Sequence, residues 1–322
     1  MSKQKILYKV EGSEKIGMGH VFRSFFLLQK LKKKYDVTIF TENKSKSEEF
    51  FKKKHFKLIT YNKIDQYKTF KKFITSLKID KYINDTIFID KKIYTFLKKL
   101  TCKCYFLDTK NIKANKMIYC INTFIKTKQK HKNYYFGCKY IIKDPSLKFK
   151  KNYRLDKSVR VLLHFGGTDE RRLNIKLINI LSGVKNIKKL IIILGPALTY
   201  NPIKIYQNLK KFEFNFKVHN YPKRLNTIYN CSDLAITTGG NTLFNFCYMN
   251  QKNISISANK LEEINCKKMQ TLNLTNYYGY YTDVNKKKFI QFYNKTILEN
   301  KKNKIKFIVD GVNEISKIID KT

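Results

Sequence analysis

A short apolar run, Ile6-Leu7-Tyr8, feeds a glycine turn, and a helical pattern starts immediately after it. The turn is Ile16-Gly17-Met18-Gly19-His20-Val21-Phe22-Arg23. Behind it Val21, Phe25 and Leu28 recur on one helix face, with Phe22 and Leu31 beside them. A chain that runs strand, Gly turn, helix has few options. It predicts a βα unit whose turn lets backbone approach a ligand closely, because glycine has no Cβ. The first helical turn adds unpaired N–H groups and a partial positive charge, which suit an anion such as a diphosphate. Gly17 and Gly19 shape that turn and Arg23 follows one helical turn on, all three as candidate substrate-binding residues. His20 stands at its lip, with an imidazole suited to proton transfer near neutrality.

The pattern repeats along the first half. Asp36 to Phe40 reads as a strand, Glu48 to Lys54 as a short helix, Leu58-Ile59 as a strand and Gln66 to Leu77 as a helix. Thr86-Ile87-Phe88-Ile89-Asp90 reads as a buried strand ending in a carboxylate. A helix from Ile93 to Leu100 and strands at Cys104–Asp108 and Met117–Asn122 follow. Such alternation predicts a parallel sheet covered on both faces, with ligands beyond the carboxyl ends of its strands. Asp90 and Asp108 lie at such ends, as site residues or as helix caps. Lys143 to Ser158 is charged and aperiodic and contains Asp144-Pro145, which puts the domain boundary there: one domain over 1–150, a second over 151–322.

The second half starts the alternation again. Ser158 to Phe165 is a strand that runs into Gly166-Gly167-Thr168-Asp169, with a helix from Arg172. His164, inside that strand, reads as a packed residue. Strands are expected at Leu190–Gly195 and Phe214–Val218. Asp233 to Thr238 leads into Gly239-Gly240-Asn241-Thr242 and a helix to Met249, again suited to a diphosphate or to a plain cap. Asn253 to Ser257 is a strand ending at Ala258-Asn259-Lys260. Two α/β domains with Gly turns at strand ends make an interdomain cleft the expected ligand site.

Charge and cysteines narrow the function. The 322 residues carry 67 Lys and Arg against 24 Asp and Glu, a formal charge of +43. Lysines are spread from end to end, and with abundant Asn and Ile they match drift toward AT-rich codons. A solvated basic surface is therefore expected, without a specific nucleic-acid partner. Seven scattered cysteines contain no C-x-x-C, so reduced thiols in a cytoplasmic protein are expected, and no metal. The apolar run Leu190 to Leu194 is far too short for a membrane span.

Taken together, these motifs resemble the UDP-2,4-diacetamido-2,4,6-trideoxy-β-L-altropyranose hydrolases of pseudaminic acid biosynthesis, relatives of the peptidoglycan N-acetylglucosaminyltransferase. The resemblance runs over nearly the full length. It is carried by Gly17 to Arg23, Phe165 to Asp169, Asp233 to Ile236 with Gly239 to Thr242, Ser257-Ala258-Asn259, and Val309-Asp310-Gly311 before a last helix. It implies a GT-B fold with two Rossmann-like domains facing across a cleft, the last helix returning to the first domain. It also implies cleavage of a UDP-sugar to UDP and free sugar without cofactor or metal; a monomer is expected. His20 maps onto the family's catalytic histidine. Gly166 to Asp169, Gly239 to Thr242, Asn245, Asn259 and Lys260 map onto the nucleotide side. The chain departs from the family in three places: Asn245 replaces a Glu suited to the ribose, Asn259-Lys260 replaces Asn-Gln, and Asp90-Lys91-Lys92 replaces Asp-His-Tyr. A glycosyltransferase on the same scaffold, or a non-catalytic nucleotide-sugar or nucleic-acid binder, remains the alternative.

Overall fold

The structure is a computed structural model that describes residues 3–14, 16–124, 130–148, 158–210, 215–222, 224–299 and 310–322. Most of the expected boundary segment, along with Phe214 and Val309, lies outside these residues. The chain separates into two compact units, Met1–Lys143 with Val309–Thr322, and Asp144–Ile308.

The first unit is a run of βα units in chain order: β1 (Lys5–Val10), α1 (Gly19–Leu31), β2 (Asp36–Glu42), α2 (Lys46–Lys53), β3 (Lys57–Tyr61), α3 (Gln66–Ser76), β4 (Lys81–Asp85), α4 (Lys91–Leu97), β5 (Lys103–Leu107), β6 (Ile118–Asn122) and β7 (Tyr134–Phe136). The strands form one all-parallel sheet in the order β3-β2-β1-β4-β5-β6-β7. The order reverses at β1, and β1 and β4 run side by side with Val10 opposite Asp85. Parallel strands covered on both faces read as near-continuous apolar runs, and β1, β4 and β6 are buried along almost their whole length. Leu7, Phe40, Phe70, Tyr82 and Phe106 build the core on one face.

The expected strand over Thr86–Asp90 is not there. The chain leaves the sheet at Asp85, one residue before that run begins. Asn84 ties down the exit by donating to Thr86 Oγ1 at 3.0 Å and Thr109 Oγ1 at 2.9 Å, and the Thr86 hydroxyl donates to the Phe88 carbonyl at 2.6 Å. Phe88 is 64% exposed. Three apolar side chains in a row marked a surface turn, while the strand itself is spelled Lys-Tyr-Ile-Asn-Asp.

The second unit continues with β8 (Val159–His164), α5 (Leu173–Leu181), β9 (Ile187–Leu194), α6 (Ile203–Leu209), β10 (Asn215–Asn220), α7 (Leu225–Asn230), β11 (Leu234–Thr238), α8 (Asn241–Met249), β12 (Asn253–Ser257), α9 (Lys260–Thr271), β13 (Asn276–Tyr280) and α10 (Lys286–Leu298). Its sheet is again all parallel, in the order β10-β9-β8-β11-β12-β13. Branched aliphatic residues of β8, β9, β11 and β12 pack against α5 and α10.

The last helix, α11 (Gly311–Asp320), belongs to the first unit. Lys34 and Tyr35 reach Asp320 at 2.6 and 2.8 Å, and the buried Lys81 ammonium donates to the Ile319 carbonyl at 2.8 Å. Glycine is required where backbone meets backbone in the second unit. A Cβ on Gly195, just past β9, would stand 2.3 Å from the Gly167 carbonyl oxygen. Gly195→Ala should therefore cost roughly 2–4 kcal/mol and push the β8–α5 turn outward. Urea unfolding checks this, and an unchanged midpoint would contradict the packing.

Candidate functional site

In the first unit, Gly17 adopts φ +80° and its N–H bonds the Ser13 carbonyl at 2.8 Å, so the turn closes on a left-handed residue. Met18 precedes α1 and is buried. His20, Arg23 and Ser24 then fall at i, i+3 and i+4 on one face of α1, and all three meet one side chain, Asp85.

Asp85 is fully buried at the carboxyl end of β4. Its Oδ1 lies 2.8 Å from His20 Nδ1 and 2.9 Å from Arg23 Nε, and Arg23 Nη2 also donates to it. Its Oδ2 accepts from the Ser24 hydroxyl at 2.6 Å and the Tyr8 hydroxyl at 3.1 Å. Burial alone would raise this carboxyl's pKa. The Arg23 guanidinium and the His20 hydrogen bond outweigh burial and hold it below the usual carboxylate range. Since the carboxylate only accepts, the hydrogen bond places a proton on His20 Nδ1, and in the neutral ring Nε2 then keeps its lone pair. Arg23 Nη2, 3.1 Å from that nitrogen, is a second donor drawn to the same oxygen. The His20 side chain is 18% exposed, enough to meet a small reactant.

Arg23, expected on the substrate, has its guanidinium engaged within the protein. Nη1 donates to Asp108 Oδ2 at 2.8 Å, and Asp108 is fixed in turn by the Thr123 N–H at 2.7 Å and hydroxyl at 2.9 Å. Asp90 is the N-cap of α4, accepting from the Ile93 N–H at 3.0 Å.

In the second unit, three groups gather at the carboxyl ends of the adjacent strands β8, β11 and β12: Gly166 to Asp169, Gly239 to Thr242, and Asn259 with Lys260. Their uses differ. Asp169 is buried with φ +45° and accepts from the N–H groups of Leu173 at 2.7 Å and Asn174 at 3.1 Å, from Asn174 Nδ2 at 2.8 Å, and from the Tyr200 hydroxyl at 2.5 Å. Of the two readings of this turn, a phosphate site or a helix cap, the first turn of α5 shows the cap: it holds the chain's own carboxylate. Burial pushes that carboxyl up to about 6 against its four hydrogen bonds.

Gly166 is left-handed at φ +75°, the Gly167 carbonyl accepts from Ala197 at 2.9 Å, and the Thr168 carbonyl accepts from Thr199 at 3.3 Å. Gly240 is extended and opens α8, Asn241 is half-buried, and Thr242 is buried. Asn245 is half-buried on the same helix and accepts weakly from the Asp144 N–H at 3.5 Å. Asn259 caps α9 through the Glu262 N–H at 3.0 Å, and Lys260 beside it is exposed. His164 is packed as expected, with Nδ1 2.9 Å from the Tyr229 hydroxyl, and burial pushes it down to about 4.

No family model matches the chain. Among curated proteins it is 25% identical over 280 residues to the uncharacterized protein MJ1062 of Methanocaldococcus jannaschii, covering 80% of this chain and 56% of that one. It thus spans about half the length of that relative. It is also 25% identical over 246 residues to the spore coat polysaccharide biosynthesis protein SpsG of Bacillus subtilis, covering 73% of this chain and 71% of SpsG. Acinetobacter baumannii MurG superposes with a TM-score of 0.68 at 11% identity, covering 99% of this chain and 100% of MurG. The fold is GT-B. In sequence the chain resembles SpsG, and the M. jannaschii UDP-GlcNAc 2-epimerase shares the fold at a TM-score of 0.59 and 13% identity over 99% of this chain and 100% of that one. No helix of the described residues is long and apolar enough to cross a membrane.

Removing the Asp85 charge should be costly. Asp85→Asn leaves the Arg23 guanidinium with one carboxylate and is expected to cost about 3–5 kcal/mol at neutral pH. Because the folded-state pKa is lowered, Asp85 stabilises the fold above its ordinary unfolded value of about 4, and that contribution is lost as pH falls further. Thermal melts should show the wild-type advantage over Asp85→Asn shrinking below about pH 4; a pH-independent gap would contradict the assignment.

Proposed function

We propose that the protein is a nucleotide-sugar hydrolase that cleaves a UDP-linked deoxy-diacetamido sugar to UDP and free sugar in pseudaminic-type acid biosynthesis. The observation that supports this most is His20 held through Nδ1 by a buried carboxylate. That arrangement fixes one tautomer and leaves Nε2 as a base.

In this reading Nε2 takes a proton from water while the oxygen attacks the anomeric carbon. The bond from that carbon to the diphosphate oxygen breaks, and its electron pair leaves with UDP. The imidazolium that forms stays beside Asp85, which stabilises its charge. Arg23 keeps Asp85 ionised and is a positioning residue. The Gly239–Thr242 turn and Lys260 receive the diphosphate, with the Gly166–Thr168 loop beside it because Asp169 already occupies the α5 start, while Asn245 and Asn259 flank the nucleotide. Neither a metal nor a cofactor enters this scheme.

A second reading is supported by the neighbours' titles: several of the similar folds, such as the calicheamicin glycosyltransferase CalG4 at a TM-score of 0.62, are described as glycosyltransferases. The chemistry differs only in that an alcohol replaces water, so the products decide. Incubated with a panel of UDP-linked N-acetylated sugars and no acceptor, the protein should release UDP and an equal amount of reducing sugar. Release only on addition of an alcohol acceptor would establish the transferase instead.

His20→Ala should lower turnover about 10²–10⁴-fold while UDP-sugar affinity changes little. Full activity in that variant would remove His20 from the mechanism.

A further inference from the structure

Glu262, in the first turn of α9, has no part in the scheme above, yet it touches the Gly239–Thr242 turn assigned to the diphosphate and the turn that carries Lys260. α9 is pressed against Gly239: a Cβ there would stand 2.3 Å from the Glu262 carbonyl oxygen and 2.7 Å from Cys266 Sγ. Asn265 Nδ2 donates to the Gly239 carbonyl at 2.8 Å, which anchors the turn from behind. The Glu262 side chain folds back over its own helix start. Oε2 accepts from the Ala258 N–H at 2.8 Å, and the nearby Thr238 side chain and Gly239 N–H favour the ionised carboxyl electrostatically. Oε1 lies on the other side, 3.7 Å from where a Cβ on Gly240 would be. One carboxyl thus bridges the β11–α8 and β12–α9 turns and presents an oxygen to the residue that opens α8.

Lys260 opens the same helix and is exposed, and the groups that act most on the carboxyl are neutral or negative. From the β8–α5 turn the carboxylate of Glu170 acts on it. On α9 itself stand the Cys266 thiol and Glu263, the latter paired with Lys267 at 2.5 Å. β11 contributes the uncharged Thr238. Burial, with Glu170 adding to it, pushes the Glu262 carboxyl up to about 7. A doubly charged diphosphate at Gly240 would raise it further by like-charge repulsion.

We propose that Glu262 is a proton-linked binding residue for the diphosphate: it takes up one proton from solvent as the anion docks, and the Oε1 hydroxyl so formed donates to a phosphate oxygen. The inference rests on the reading that the Gly239–Thr242 turn receives a nucleotide diphosphate. Repulsion becomes a hydrogen bond, and no covalent bond of the ligand changes. Affinity is then highest where Glu262 is already protonated and falls as pH rises through about 7.

Isothermal titration with UDP-N-acetylglucosamine tests this, because its diphosphate stays fully ionised throughout the range. At about pH 7.5, wild-type protein should take up a fraction of a proton, read from buffers of different ionisation enthalpy. Its affinity should fall about tenfold between roughly pH 6 and 8.5, as expected for a pKa shift of one unit. Glu262→Gln keeps an acceptor for Ala258 and should bind with a flatter pH profile and less uptake. An unchanged slope and uptake in that variant would overturn the proposal. Should the variant fail to fold, wild-type binding without proton uptake overturns it equally. If no UDP-sugar binds at any pH, the nucleotide reading of the turn fails and takes this inference with it; binding without uptake removes only Glu262.

Discussion

A carboxylate buried completely in the first unit dictates the arrangement around it. Asp85 has no water to solvate its charge, so protein donors must replace it. Four side chains do so, and three of them come from one face of α1. That face is available because β4 lies next to β1 and brings Asp85 level with Val10, where the chain turns toward α1. Sheet order, strand register and the His-x-x-Arg-Ser spacing are thus three parts of one constraint. The imidazole gains a fixed orientation from it, and Arg23 gains a reason to face inward.

The second unit shows the same electrostatics from the other side. Turns rich in backbone N–H attract negative charge, and here the chain supplies some of that charge itself. Asp169 sits on the first turn of α5 and locks the β8–α5 turn to Tyr200. Glu262 sits between the β11–α8 and β12–α9 turns. Both carboxyls are pushed upward by burial, Asp169 to about 6 and Glu262 to about 7. The difference lies in what they leave open. Asp169 is saturated by four internal donors, whereas Glu262 Oε1 looks toward the helix start.

Much of the fold was legible because it depends on local signals. Glycine turns after apolar runs located β1–α1, β8–α5 and β11–α8, and the βα alternation implied parallel sheets. The site was less legible because its key partner is remote in sequence. Asp85 was hidden by Ile87-Phe88-Ile89, a run more apolar than the true strand, whose Lys81, Asn84 and Asp85 are buried only because tertiary partners satisfy them. Arg23 and Asp169 were expected on a ligand because they stand in motifs shared with the resembled family. That Asp108 and Asp85 would engage Arg23, or Tyr200 would engage Asp169, depends on distances no spacing rule encodes. Glu262 carried one signal, its place three residues after the cap Asn259, and that pattern predicts a capping box more readily than a ligand contact.

The central claim is that Asp85 holds His20 as the Nδ1–H tautomer with Nε2 open. Nitrogen-15 NMR of the His20 ring, at a pH where the imidazole is neutral, reads this directly. The account predicts a pyrrole-type, protonated Nδ1 and a pyridine-type Nε2. A protonated Nε2 with a bare Nδ1 would contradict it and leave His20 without the lone pair on which the proposed chemistry depends.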